Sequence, residues 1–413
     1  MAAAAVFIAG LTGQSAVIGQ NLVGSSKNAA MSAQQINKRI HAVYGSSGPA
    51  LATKALDLYK ISYGSTDEKG RQVVLTGLVV LPQNGAPNGL VIYDHGTIAD
   101  PRKAPSQYKG AADNSEPESA ILAFASGGYA IVMPDYLGLG DNKAAHPYPL
   151  NVVNSRSGAD IIKPARTLAG FQNVAIGTRL FVTGYSEGGG VAMALVRELE
   201  QSNDPSDQVF ASAPASGPYD LSGATRQFMM AQPTDQAGFV VRLYLISYMA
   251  YYFHKEYGVK LTDYFKPSMA LTVSTAYPAN ITDESLIKRL VVAATLMRSK
   301  NSIFNVITPR FRRAMETLDT SDPVVRELQR NNVYDWSPRS KMLLINLKGD
   351  TIVDPANTEK AFRTMRARGV RADTLRRYII KNDKLTHITA VPEAMLQARR
   401  FFDGGFTKFA ETE

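Results

Sequence analysis

The run Gly184-Tyr185-Ser186-Glu187-Gly188-Gly189-Gly190 constrains this chain more than any other stretch. An apolar segment at 179–183 leads into it, and a helix-forming run at 191–198 follows. Strand, G-x-S-x-G and helix, in that order, is the context of a nucleophile elbow. The turn is so sharp that side chains two residues either side of the serine would collide. Gly184 and Gly188 remove those side chains, and Gly189 and Gly190 let the new helix pack closely on the sheet. The same turn lifts the Ser186 hydroxyl and sets the Glu187 N–H beside it, at a helix N-terminus. Without its flanks, the motif reads as an ordinary glycine-rich turn.

A serine hydroxyl is a weak nucleophile at neutral pH and needs a base, which in turn needs a group to orient it. Behind an elbow these partners follow in the order Ser, acid, His, on loops after core strands. A predicted strand at 341–347 ends in Lys348-Gly349-Asp350-Thr351-Ile352-Val353-Asp354-Pro355, so Asp350 at its end is the expected acid. Asp354 is the alternative, but its place before Pro355 suits a helix cap better. Of five histidines, His387 alone follows the last predicted strand, 37 residues past Asp350. His387 is the expected base. An oxyanion needs two fixed N–H donors. The Glu187 backbone offers one, and Thr97, in Tyr93-Asp94-His95-Gly96-Thr97, is expected to offer the other. Gly96 permits close approach there, and Asp94 and His95 are read as holding the loop's shape.

The order of elements fits this chemistry. A helix is expected at 33–43, a hairpin at 56–63 and 71–81, and strands at 89–93, 129–134, 180–183 and 209–213. Helices are expected at 116–126 and 158–168, the latter kinked or broken at Pro164. Strands alternating with helices imply an α/β fold, a mostly parallel sheet with helices on both faces. From 218 to 335 the alternation lapses into helical sequence rich in Tyr, Phe and Met. It resumes with strands at 341–347 and 374–380 and helices at 355–368 and 389–402. The expected organisation is therefore an N-terminal segment (1–28), a core in two parts (29–217 and 336–413) and a helical cap or lid (218–335) between the sixth and seventh core strands. Within the cap, 239–253 is apolar almost all round, as a cap-core helix or the wall of an apolar cleft would be.

Composition narrows the chemistry. The 413 residues include no cysteine, which excludes disulfides, thiolate metal sites and a cysteine nucleophile. No His/carboxylate cluster has metal-ligand spacing and no glycine loop fits a phosphate, so no cofactor or metal is expected. The net charge is +9, and the excess lies past Leu286, with 24 Lys+Arg against 14 Asp+Glu. Clusters such as Arg310/Arg312/Arg313 and Arg363/Arg366/Arg368/Arg371 read first as solvated helix faces and second as attraction to an anionic surface. Nothing suggests nucleic-acid recognition. The uncharged run at 2–19 resembles the apolar part of an export signal, although no basic residue precedes it, and a Gly/Ser/Asn-rich link is expected near 24–28. The expected location is secreted or periplasmic.

Four segments together resemble one family. Tyr93-Asp94-His95-Gly96-Thr97, Pro134-Asp135-Tyr136-Leu137-Gly138-Leu139-Gly140, His146-Pro147-Tyr148 and Gly184-Tyr185-Ser186-Glu187-Gly188-Gly189 are similar to the secretory lipases, with their yeast lipase-A-type members and bacterial esterase relatives. The resemblance covers about residues 56–402. It implies an exported α/β-hydrolase with a helical lid that cleaves lipid or other carboxylic esters, with transient contact at a lipid interface. Ser186, Asp350 and His387 match the family's triad positions. Glu187 departs from the glutamine common among relatives, where only the backbone is needed. The lack of cysteine sets the chain apart from disulfide-bearing yeast members and toward the bacterial branch, some of which act on plant-wall esters. A serine peptidase, a feruloyl or acetyl esterase, and an inactive binding protein on the same fold are the competing expectations.

Overall fold

The computed structural model describes residues 21–410, apart from 114, 203, 206, 207, 234 and 280. The described strands are β1 (Leu22–Met31), β2 (Leu56–Thr66), β3 (Gln72–Pro82), β4 (Leu90–Asp94), β5 (Ala130–Pro134), β6 (Leu180–Tyr185), β7 (Val209–Ala215), β8 (Lys341–Leu347) and β9 (Leu375–Ile380). They form one sheet in the order β1-β2-β3-β5-β4-β6-β7-β8-β9. From β1 to β5 the neighbours run antiparallel, and from β5 through β9 they run parallel. β4, β5 and β6 are buried along their whole length, as central strands covered on both faces must be. The β2–β3 hairpin turns where Asp67 Oδ1 accepts from the Lys69 and Arg71 amides at 3.0 and 2.9 Å, a side chain standing in for a backbone turn bond.

Helices α1 (Ala33–Tyr44), α2 (Glu116–Phe124), α3 (Asn151–Phe171) and α4 (Glu187–Gln201) belong to the first half of the core. A run of short and long helices follows β7: α5 (Arg226–Met230), α6 (Gln236–Tyr257), α7 (Leu261–Tyr264), α8 (Pro267–Ala276), α9 (Asp283–Leu296), α10 (Pro309–Thr317) and α11 (Pro323–Arg330). The core closes with α12 (Ala356–Ala367) and α13 (Val391–Gly404). Strand side chains alternate between two cores. Val91, Tyr93, Leu343 and Ile345 pack with α1, α2 and α13, whereas Leu90, Ile92, Met342 and Leu344 pack with α3, α4 and α12. The helices between β7 and β8 build a third cluster around Phe239, Leu243, Ile246, Phe253 and Phe311.

Two expectations need correction. The stretch 24–28 is not a link: it lies inside β1, whose backbone pairs antiparallel with β2 from Leu22 to Met31. The part of the expected export segment before residue 21 lies outside the described residues. Of the kink or break expected at Pro164, the break does not occur. α3 begins seven residues before the expected start and runs through the proline, whose buried ring packs within an otherwise continuous 21-residue helix.

Candidate functional site

Ser186 sits between the end of β6 and the start of α4 with φ 58° and ψ −126°, a backbone seldom adopted by a residue with a side chain. Its amide is tied to the Ala215 carbonyl at the end of β7, 3.1 Å away. A Cβ on Gly188 would collide with the Asp94 carbonyl oxygen, and one on Gly184 would lie 2.6 Å from the same atom. The end of β4 therefore packs directly against the elbow, which only glycine at these two positions permits.

Asp350, just past β8, has both oxygens engaged. Oδ1 accepts from the amides of Ile352 and Val353, each at 2.9 Å, and Oδ2 lies 2.7 Å from His387 Nδ1. His387 Nε2 in turn lies 2.8 Å from Ser186 Oγ. The His387 carbonyl accepts from Tyr185 Oη at 2.7 Å, which fixes the loop carrying the imidazole to the strand carrying the serine. The carboxylate partner puts the ring proton on Nδ1 and leaves Nε2 free to accept from the hydroxyl. Asp354 is not part of this relay. Its Oδ1 accepts from the Ala356 amide at 2.8 Å, at the start of α12, where Pro355 stands at the N-cap.

Thr97 and Glu187 border the same cavity as Ser186 and His387. The Gly96 amide is spent on Glu116 Oε1 at 2.7 Å, so the next amide in the loop is that of Thr97. Glu187 opens α4, where the first N–H groups have no partner within the helix. His95 serves the loop's shape, with Nδ1 2.7 Å from the Gly96 carbonyl and its ring stacked on Tyr136. Asp94 is fully buried, and burial pushes its carboxyl well above the usual range.

Sequence reasoning gave the Glu187 side chain no role, and here the structure differs. The side chain is buried, with Oε1 2.8 Å from His146 Nε2 and 3.2 Å from Asn154 Nδ2. It thereby pins the elbow to the loop before α3 and to α3 itself. Glu116 was missed altogether. It opens α2, accepts from Tyr93 Oη and the Gly96 amide at 2.7 Å each, and lines the cavity. Burial raises its carboxyl above the ordinary value, against the pull of the Tyr93 and Gly96 hydrogen bonds and of nearby His95 and His387. An acid in a helix's first turn is too common for the sequence to single it out.

The cavity above Ser186 measures about 550 Å³. Val241, Tyr244 and Leu245 of α6 form part of one wall, Ala42 and Val43 of α1 part of another, and Ile388 stands exposed at its edge. A nucleophile, a base and an orienting acid in hydrogen-bonded series, under a mostly apolar cavity, can attack a carbonyl carbon and carry the proton to a leaving group. Among the described residues no cluster of His, Asp or Glu is arranged to hold a metal ion, and no helix is long and apolar enough to cross a membrane.

Comparison with known proteins yields solved structures only: no family model matches the chain, and no curated protein matches it by sequence. A presumptive hydrolase of Legionella pneumophila is 25% identical, superposes with a TM-score of 0.79, and covers 95% of this chain and 100% of its own. The rice cell wall degrading esterase LipA of Xanthomonas oryzae is 22% identical with a TM-score of 0.78, over 92% of this chain and 97% of its own. Candida antarctica lipase A in its closed state is 11% identical with a TM-score of 0.65, over 96% and 84%. The chain has the α/β-hydrolase fold, with a mostly parallel sheet covered on both faces. The likeness to an esterase and a lipase meets the resemblance read from the sequence.

Proposed function

We propose that this protein is a serine carboxylic-ester hydrolase. The observation that carries the reading is the relay from Asp350 through His387 to Ser186, at 2.7 and 2.8 Å, opening on an apolar cavity. Ser186 attacks the ester carbonyl while His387 Nε2 takes its proton, and Asp350 holds the imidazole and stabilises the imidazolium. The Thr97 and Glu187 amides receive the oxyanion. His387 then protonates the departing alcohol, and water, activated by the same imidazole, releases the acid from Ser186. The apolar lining favours an ester with a sizeable hydrocarbon part, a lipid ester first. Since the Xanthomonas protein degrades rice cell wall, esters of plant polymers are the second substrate class to assay. The uncharged run at 2–19 supports work outside the cytoplasm.

The deciding experiment is turnover of p-nitrophenyl esters by the wild type and by Ser186→Ala. The variant should lose about 10⁶-fold in kcat with an unchanged melting temperature, and wild type alone should be labelled by a fluorophosphonate. Turnover that survives in the variant would overturn the role given to Ser186. Comparable rates on amide substrates would instead favour a peptidase.

A further inference from the structure

The relay leaves one carboxyl at the site without a task. Glu116 Oε1 receives two hydrogen bonds, from Tyr93 Oη and from the Gly96 amide, both at 2.7 Å. Tyr93 is fully buried on β4, so this end of the carboxyl is anchored to the sheet. The other oxygen lies beside Gly96: a Cβ built there would stand 2.9 Å from Oε2 and 3.4 Å from Ser186 Cβ. Gly96 is thus held between the carboxyl and the nucleophile, one residue before Thr97. Its neighbour His95 is fixed separately, by Tyr136 Oη on its carbonyl at 3.0 Å. The His95–Gly96 peptide before Thr97 is therefore held at both ends, by Tyr136 on its carbonyl and by Glu116 on its amide, while His95 Nδ1 meets the Gly96 carbonyl of the next peptide.

The geometry points to Glu116 as a positioning residue for the oxyanion loop, acting by the hydrogen bond to the Gly96 amide that fixes where Thr97 N–H is aimed. This rests on the ester-hydrolase reading for its kinetic consequence, but not for its structural one. Preorganised donors stabilise an oxyanion only while they are held in place, because a donor free to reorient must reorganise as charge develops. Loss of the acceptor leaves the Gly96 amide unpaired next to the nucleophile and releases one end of the His95–Gly96 peptide, leaving Tyr136 as its remaining hold. The effect belongs to the transition state, since the ground-state carbonyl gains little from the hole.

Three variants test this: Glu116→Ala, Glu116→Met, which keeps the bulk without an acceptor, and Glu116→Gln, which keeps the acceptor without the acid. Each is assayed on a p-nitrophenyl ester beside wild type and Ser186→Ala, and each is followed by hydrogen–deuterium exchange of the backbone around residues 93–98. Ala and Met should lower kcat by about 10²-fold with KM little changed, while Gln recovers most of that loss. Exchange at Gly96 should quicken in Ala and Met but not in Gln. If Ala does not fold, Met carries the comparison. Equal impairment in Gln and Met, or a change confined to KM, would overturn the positioning role, as would unaltered exchange at Gly96. Absence of turnover in wild type would count against the ester-hydrolase reading instead, and the exchange measurement would still decide the role of Glu116.

Discussion

The backbone at Ser186 lies in a region that costs about 1–3 kcal/mol for a residue with a side chain. It is sustained because the elbow is fixed from three directions: the Ala215 carbonyl on its amide, β4 against Gly184 and Gly188, and the buried Glu187 side chain on His146. Asp350 and Asp354 differ at the same scale. They stand four residues apart, yet only Asp350 meets the imidazole, while Asp354 Oδ1 meets the Ala356 amide at the start of α12. Asp350→Asn should therefore lower kcat by about 10⁴-fold, because an amide in that place favours the wrong imidazole tautomer. Asp354→Asn should leave kcat within a small factor of wild type and lower stability by less than about 1 kcal/mol, since an asparagine carbonyl can accept from the same Ala356 amide. Steady-state kinetics and thermal melts of the two variants check this, and the reverse ranking would transfer the acid's role to Asp354. Ser186, Asp350 and His387 could be picked out in the sequence because each lies on the segment that follows a core strand, and chain order then dictates which loop faces which. Glu116 and the Glu187 side chain could not. Their partners Gly96 and His146 lie 20 and 41 residues away along the chain, and only the folded loops bring them together.

Among the elements, α6 shows why an all-round apolar pattern resists a single reading. Phe239, Leu243, Ile246, Met249 and Phe253 face the cluster built by the other helices of the insertion. Val241, Tyr244 and Leu245, at i, i+3 and i+4, face the cavity above Ser186. Both candidate roles of the segment are thus filled by one helix with two covered faces. β1 was misread for a different reason. Its sequence, LVGSSKNAAM, is small and polar, and its pairing with β2 rests on backbone hydrogen bonds that composition does not announce. At Pro164 tertiary packing keeps the helix continuous where local propensity argues for a break. If the α6 wall receives the acyl chain, enlarging it should shorten the chain accepted. Leu245→Trp is expected to lower kcat/KM for a long-chain p-nitrophenyl ester by more than about tenfold while leaving the acetate ester near wild type, an overpacking effect of about 1–3 kcal/mol. A chain-length series measures this, and an unchanged ratio of long to short esters would remove α6 from the substrate's path.

Over the whole molecule, several cations of the basic clusters past Leu286 form local pairs. Arg310 meets Asp322, Arg312 meets Glu316, Arg368 meets Asp335, and Arg363 and Arg377 share Glu359. Most of these cations are partly or largely exposed, so the clusters suit solvated faces and contribute little to stability. The contacts that join the helical insertion to the core are of another kind. Glu68, at the β2–β3 turn, accepts from Tyr252 Oη, and Lys69 pairs with Glu256 at 2.5 Å. At the loop after β4, Asp283 Oδ1 accepts from the amides of Ala99 and Asp100 at 2.9 and 3.1 Å, and Tyr248 Oη donates to the Ile98 carbonyl at 3.0 Å. The apolar cluster of the insertion also takes in Tyr148 and Leu150, which precede α3 in the core. An insertion tied to the β2–β3 turn, to the loop after β4 and to the loop before α3 cannot melt without loosening part of the main structure. The single tryptophan, Trp336, packs against the core cluster of α3, α4 and α12, while α5–α11 contribute heavily to the helical circular dichroism. Thermal unfolding followed by Trp336 fluorescence and by helical ellipticity should therefore trace one coincident transition, with ester turnover lost across the same interval. Ellipticity falling at a lower temperature than fluorescence would mean that the insertion opens as a unit of its own, and that the ties at Glu68 and Asp283 are weaker than the shared apolar packing implies.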